Sequence, residues 1–204
     1  MAVTRLMVFN LALQMLGKNP VSDLAVADLV VEKLKAVEQI SQKSLLASGE
    51  FDFARSDVQL AYIGPLTIGR YRKQYALPAD CLEVIYAYKE ATSSNIDENT
   101  EPIDYEIQDG TLLSNTDAVY VKYTKDVTDY SKYDWTFAEA LAGKMASLCG
   151  LSVNHSTGRT GFIGDVASRT AGFALNRSIG KSQTRYIRET NWLNARSFRR
   201  GSNG

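Results

Sequence analysis

The stretch VADLVVEKLKAVEQISQKSLLAS, residues 26–48, decides how the rest of the chain must be arranged. Its spacing predicts a long amphipathic helix. Val30, Leu34, Val37 and Leu45 recur at i, i+4, i+7 and i+15, with Val26 and Ile40 at the edges of the stripe. Glu32, Lys35, Gln39, Gln42 and Lys43 take the other side. One face must therefore be covered. Gly49 is placed to end the helix in a left-handed cap, and Phe51 and Phe53 then lead into a strand-rich middle. Helical periodicity returns only after Asp134, so the simplest way to bury the stripe is against C-terminal helices, which makes the intervening residues an insertion.

Upstream, Thr4 is placed to cap a helix running to Leu16, with Gly17 and Pro20 beyond it. Leu6, Phe9, Leu13 and Leu16 make one face, yet Met7, Val8, Leu11 and Met15 fill much of the remainder. A helix this apolar is central in a bundle or part of a subunit contact. Asn10, set among these residues, needs hydrogen-bond partners if buried.

In the middle, Phe51 to Tyr62 alternates poorly and Gly64-Pro65 marks a turn. Arg70 to Ala76 reads as a strand broken by Leu77-Pro78. Leu82, Val84, Tyr86 and Tyr88 share one face of the next, and Ala91 to Glu101 reads as a loop. Asp109-Gly110 between Tyr105-Glu-Ile-Gln and Thr111-Leu-Leu predicts a type I′ hairpin. Val119, Val121 and Tyr123 alternate in a last strand, for a small antiparallel sheet of four to six. Beyond it, Phe137, Leu141, Met145 and Leu148 keep helical spacing from a cap at Asp134 or Thr136 to a stop at Gly150. A second helix, about 161 to 179, carries Phe162, Val166, Thr170, Phe173 and Arg177. The expected class is α+β: a helical bundle from N- and C-terminal helices bearing an inserted small antiparallel β domain. Its segments are 1–50 and 131–180 for the bundle, 51–130 for the insertion, and 181–204 for a basic and aromatic arm.

At 204 residues, 45% hydrophobic and 23% charged, the composition is that of an ordinary globular chain. No apolar run approaches the roughly 20 residues that span a bilayer, and the opening residues lack a signal-peptide pattern. We expect a soluble protein, without membrane contact, that stays in the compartment where it is made. Cys81 and Cys149 show neither metal-ligand nor disulfide spacing and read as buried thiols. The net charge of zero hides an asymmetry. Residues 80–129 carry twelve acids against three lysines, while 151–204 carry nine Lys and Arg against two acids. Opposite patches of this kind suit partners or further copies of the same chain.

Little in the sequence points to catalysis, and we expect no enzyme, metal or cofactor. His155 is the single histidine and sits in a loop of Ser, Thr, Asn and Gly. There is no phosphate-cradling glycine loop, no Gly-x-Ser-x-Gly and no HExxH. Glu98 with Glu101, or Asp104 with Glu106, read as solvated acids rather than a hydrolytic pair.

Several landmarks together resemble a known family. Asn10, Ala12, Leu13, Leu16-Gly17 and Pro20-Val21, then Phe51 and Phe53-Ala54, are similar to the opening of the tail tubular protein A family. Those proteins are head-to-tail adaptors of short-tailed bacteriophages. Tyr75-Ala-Leu-Pro-Ala-Asp-Cys-Leu resembles the family's strand-turn-strand signature. Tyr105-Glu-Ile, Leu112-Leu113, the strand ending at Tyr123, and Trp135, Phe137 and Glu139-Ala-Leu-Ala resemble its hairpin and third helix. The match covers roughly residues 4 to 180, with Phe51 where the family more often has tryptophan. The resemblance implies a homo-oligomeric ring, usually of twelve copies, between the portal protein and the tail nozzle protein, with DNA passing through the lumen. It places the protein in the virion, at the head-tail junction, after assembly in the host cytoplasm.

The segment Lys181 to Gly204 matches the family poorly and is read from its own chemistry. Its polar residues cannot build a core, so alone it should be flexible. Yet Tyr186, Ile187, Trp192, Leu193 and Phe198 are spaced as separate anchors, and Arg185, Arg188, Arg199 and Arg200 can fork onto carboxylates. These nine residues form the expected docking site, for the portal or for the acidic middle of the next copy. DNA phosphates are the alternative, since interleaved basic and aromatic residues also suit sequence-nonspecific nucleic-acid binding. A hydrolase is the remaining alternative.

Overall fold

The computed structural model describes residues 2–67, 69–90, 100–154, 161 and 164–174, and it is an α+β protein. Helix α1 spans Arg5–Met15. The Thr4 hydroxyl accepts from the Met7 N–H at 3.3 Å, as its position predicts. At the other end Gly17 takes φ 71°, and the Lys18 and Gly17 N–H groups reach back to the Leu13 and Gln14 carbonyls at 2.8 and 2.9 Å. That is a Schellman closure, which needs a residue free to adopt the left-handed conformation.

Helix α2 covers Leu29–Ala47, three residues short of the expected start, because the Asp28 carboxylate caps it by accepting from Val30 and Val31 N–H at 2.7 and 3.4 Å. Its end also departs from expectation: Gly49 has no positive φ. The Ser48 N–H and hydroxyl instead both donate to the Leu45 carbonyl, at 3.1 and 2.7 Å, so no left-handed residue is required. The buried face is rotated from the predicted stripe. It comprises Val31, Leu34, Ser41, Gln42, Leu45 and Leu46, while Val30 and Val37 are half-buried and Ile40 is 65% exposed.

The centre of the bundle is α3, Trp135–Asn154, on which both α1 and α2 pack. The Asp134 carboxylate caps it, accepting from the Phe137 N–H at 2.8 Å and the Thr136 hydroxyl at 2.7 Å. Phe137, Ala138, Leu141, Ala142, Met145, Ala146 and Cys149 are buried, and the alanines let two helices approach from different sides. The predicted stop at Gly150 does not occur. A glycine inside a helix costs about 1 kcal/mol, which the packing of Val153 against the core offsets. Leu148 belongs to the exposed side, not to the stripe.

A further helix, α4, runs over 164–174 and lies close against α3. A Cβ on Gly143 would meet the Ala167 Cβ at 3.0 Å and its Cα at 3.2 Å, and one on Gly164 would meet the Ser147 hydroxyl at 3.4 Å. So close a contact selects small residues, and the buried side of α4 is Thr170 and Ala174 with Ala171, while Phe173 is exposed. Phe162 and Arg177 of the predicted stripe lie outside the described residues. Phe51 fills the core beneath α3, edge-on to Phe137 at 4.9 Å, so a phenylalanine suffices where the resembled family favours tryptophan.

The residues between Phe51 and Tyr133 form more sheet than expected. Among the described residues there are eight strands in two four-stranded antiparallel sheets. Strands β1 (Arg55–Gln59), β8 (Tyr120–Lys125), β4 (Cys81–Glu90) and β5 (Thr100–Pro102) form the first, in that order. The second runs β2 (Ala61–Pro65), β3 (Lys73–Ala76), β7 (Thr111–Ser114) and β6 (Tyr105–Gln108). The chain changes sheet at Leu60, and Tyr75, Leu112, Ala87, Val121 and Tyr123 from the two sheets meet in one core.

Three local expectations fail for identifiable reasons. Gly64 and Pro65 lie in β2, because β2 is an edge strand where proline's missing N–H costs no ladder bond. The turn follows instead, through Gly69 at φ 107° and a bond from the Leu66 N–H to the Arg72 carbonyl at 2.8 Å. Irregularities in β4 at Cys81/Glu83 and Val84/Tyr86 change which side chains face inward, so Ala87 is buried and Leu82 packs on the helical core. Thr100 and Glu101 belong to β5 rather than a loop. The hairpin agrees with its sequence: Asp109 and Gly110 take φ 49° and 74°, and Gln108 pairs with Thr111.

Candidate interaction surfaces

The nine expected docking residues, Arg185, Tyr186, Ile187, Arg188, Trp192, Leu193, Phe198, Arg199 and Arg200, lie outside the described residues, as does His155. The described part presents surfaces of its own. The first is a groove of about 170 Å³ between the start of α1 and the start of α3. Val3, Met7, Val8, Leu11, Trp135 and Ala138 line it, with Glu139 as its one acid. Trp135 is 52% exposed there, although as the first residue of α3 it is held in place by the Asp134 cap. The excess apolar residues of α1 thus divide between the bundle core and this groove.

A second apolar patch follows from the rotation of α2. Leu29, Ala36, Ile40 and Ala47 fall on one side of the helix at spacings of seven, four and seven, and all are exposed, Leu29 by 71%. Leu29, Ala36 and Ala47, off the predicted stripe, and Ile40 at its edge were the sequence signal for this patch.

The helices carrying these surfaces are held by polar bridges. The Asn10 side-chain amide donates to the Val21 carbonyl at 3.0 Å and accepts from the Val21 N–H at 2.9 Å, which satisfies the polar group that the sequence placed among apolar neighbours. Arg5 donates through Nε and Nη2 to the two carboxylate oxygens of Glu38, each at 2.6 Å, and the Tyr130 hydroxyl donates to the same carboxylate at 2.5 Å. Burial pushes the Glu38 carboxyl upward, but these donors outweigh it and leave it below its ordinary value. Burial first, and then the bond to Glu38, raise the Tyr130 phenol. Gln42, expected on the solvent side of α2, is 5% exposed. Its Nε2 donates to the Val127 carbonyl at 2.6 Å and to the Tyr133 hydroxyl at 2.5 Å, tying α2 to the segment that leads into α3.

On the first sheet the outward side chains of β4 and β8 build an aromatic face. Tyr88 stacks on Tyr120 at 5.6 Å, and the Lys122 ammonium lies 5.1 Å from the Tyr86 ring. The Tyr88 hydroxyl donates to Asp57, and burial together with that carboxylate pushes the phenol up to about 12. The acidic excess of residues 80–129 is partly neutralised by cations from elsewhere in the chain. Arg70 pairs with Asp104, Lys73 with Asp117, and Lys43 with Asp126 at 3.1 Å. Asp104 also accepts from the Tyr71 hydroxyl at 3.1 Å. Cys149 is a buried thiol as expected, whereas Cys81 is only half-buried; burial raises both thiols.

The chain matches no family model, and no curated protein is similar to it by sequence.

Proposed function

We propose that this chain is a structural head-to-tail adaptor of a bacteriophage virion, assembled in the host cytoplasm as a ring between the portal protein and the tail nozzle protein, with DNA passing through the lumen. The observation that carries the reading is the pair of unlike apolar patches on one bundle, the Trp135 groove and the Leu29–Ile40 row. Head-to-tail contact in a ring requires two different surfaces on each copy, one to give and one to receive. The order of motifs along residues 4 to 180 supports the same reading. In it, the basic and aromatic segment from Lys181 docks on a neighbouring protein, and a ring of twelve is the copy number that the resemblance implies.

The test is to mix the protein with the cognate portal and image the product by electron microscopy. A ring stacked on the portal is the expected outcome, and the absence of any ring or complex overturns the proposal. Truncation after Lys181 is expected to weaken attachment. Salt-dependent binding to random DNA that survives Trp192→Ala with Phe198→Ala, while portal attachment is lost, separates protein docking from phosphate contact.

A further inference from the structure

A sheet edge is an unfinished hydrogen-bonding surface, and proteins normally blunt it with proline, bulges or charge. Among the described residues, three of the four edges follow that pattern. Strand β2 carries Pro65 and an irregularity between Tyr62 and Gly64, β5 is three residues ending in Pro102, and β1 carries Arg55 and Asp57. Strand β6 is blunted least, with Glu106 as its one charge. Its register with β7 is unbroken over all four residues, it contains no proline, and Ile107 is 47% exposed. Because Gln108 and Thr111 close a two-residue hairpin as a hydrogen-bonded pair, the N–H and C=O groups of Tyr105 and Ile107 point away from β7, toward the free edge. Glu106 and Asp109 stand exposed on either side of Ile107.

We infer that this edge receives residues 184–190 of the chain, Thr-Arg-Tyr-Ile-Arg-Glu-Thr, as an added antiparallel strand. Charge complementarity selects both the occupant and its register. With Ile187 opposite Ile107, Arg188 falls opposite Glu106, and Arg185 comes to the turn carboxylate of Asp109. A parallel strand with the same central pair sets Glu189 beside Asp109 and loses both attractions. A slip of one residue moves Ile187 off Ile107 and sends each side chain to the opposite face. The backbone groups of Ile107 and Ile187 then form one closely spaced hydrogen-bonded pair.

This inference rests on the docking-arm part of the proposed function and not on the portal. The experiment is site-specific photo-crosslinking in the full-length protein. Gln108→p-benzoylphenylalanine puts the probe on an exposed side chain that the register sets opposite Tyr186. Irradiation, digestion and mass spectrometry are expected to place the adduct within residues 184–190, and mixing isotopically light and heavy protein shows whether the strand comes from the same or a second copy. Adding Glu106→Lys is expected to lower the adduct yield about fivefold, and adding Arg188→Glu to restore it. Adducts confined to other residues, no adduct, or a yield indifferent to Glu106→Lys overturns the inference. The measurement uses no portal, so its failure is separate from failure of ring assembly on the portal.

Discussion

Gln42→Glu replaces one side-chain NH2 by oxygen, almost without change of shape, at the point where α2 is tied to the segment before α3. The glutamine amide donates to both the Val127 carbonyl and the Tyr133 hydroxyl, and the side chain is 5% exposed. A carboxylate there accepts only, faces a carbonyl oxygen, and lies one helical turn from Glu38, so its folded-state pKa rises well above the unfolded value of about 4.3. The cost of keeping the group protonated bounds the penalty. If the group stays neutral at pH 7, holding the proton costs about 1.36 kcal/mol per pH unit over about 2.7 units, or roughly 3.7 kcal/mol. The protonated acid can still donate one hydrogen bond, so about 1 kcal/mol is lost for the other. The variant should therefore be destabilised by about 4–5 kcal/mol at pH 7 and by only about 1 kcal/mol at pH 4. The sign follows from linkage: a carboxyl with a raised folded pKa destabilises above that pKa, and the penalty fades as pH falls through it. Gln42→Leu is the control. It leaves the Tyr133 hydroxyl donating to the Val127 carbonyl at 2.5 Å, and should cost about 1–2 kcal/mol at both pH values. Urea unfolding of the three proteins at pH 7, 5.5 and 4 supplies the differences. A Gln42→Glu penalty that does not change with pH, or one below about 1 kcal/mol at pH 7, would refute the bridge.

The remaining predictions test other parts of the fold. Gly143→Leu should push α4 away from α3, because the nearest obstacles are the Cβ and backbone of Ala167; the cost is about 1–3 kcal/mol. Hydrogen exchange over 164–174 should accelerate while α1 and α2 keep their protection, and unchanged exchange in α4 would count against the close contact. Glu38→Gln reads the opposite pH sign, since that carboxyl is held below its ordinary value. Its loss should cost about 1 kcal/mol at neutral pH, allowing for the half-exposed Arg5, and the difference from wild type should begin to shrink as pH falls through the unfolded value of about 4.3 and be gone below the lowered folded value. A constant difference down to pH 3 would sink the assignment. Leu29→Asp with Ile40→Asp should leave the melting temperature of the free protein nearly unchanged, since both residues are exposed, but abolish ring assembly. Rings that still form would remove the α2 row from the interface.

What could be read from the sequence alone was decided within a few residues. The Thr4 cap, the left-handed Gly17, the Asp134 cap and the Asp109-Gly110 hairpin each depend on local backbone geometry and one or two hydrogen bonds. The α+β alternation was legible for the same reason, because a change of period from 3.6 to 2 and back needs no knowledge of partners. The tertiary structure decided which sector of a helix is covered and how many sheets the strands make. Gln42 is buried because Val127 and Tyr133, 85 and 91 residues away, bring it matching acceptors, and Ile40 is exposed because α3 occupies the other side. Ala87 turns inward because a bulge changes the parity of β4, and α3 continues through Gly150 because residues beyond it pack into the bundle. In each case a local preference of about 1 kcal/mol meets contacts from distant segments, and the distant contacts outweigh it.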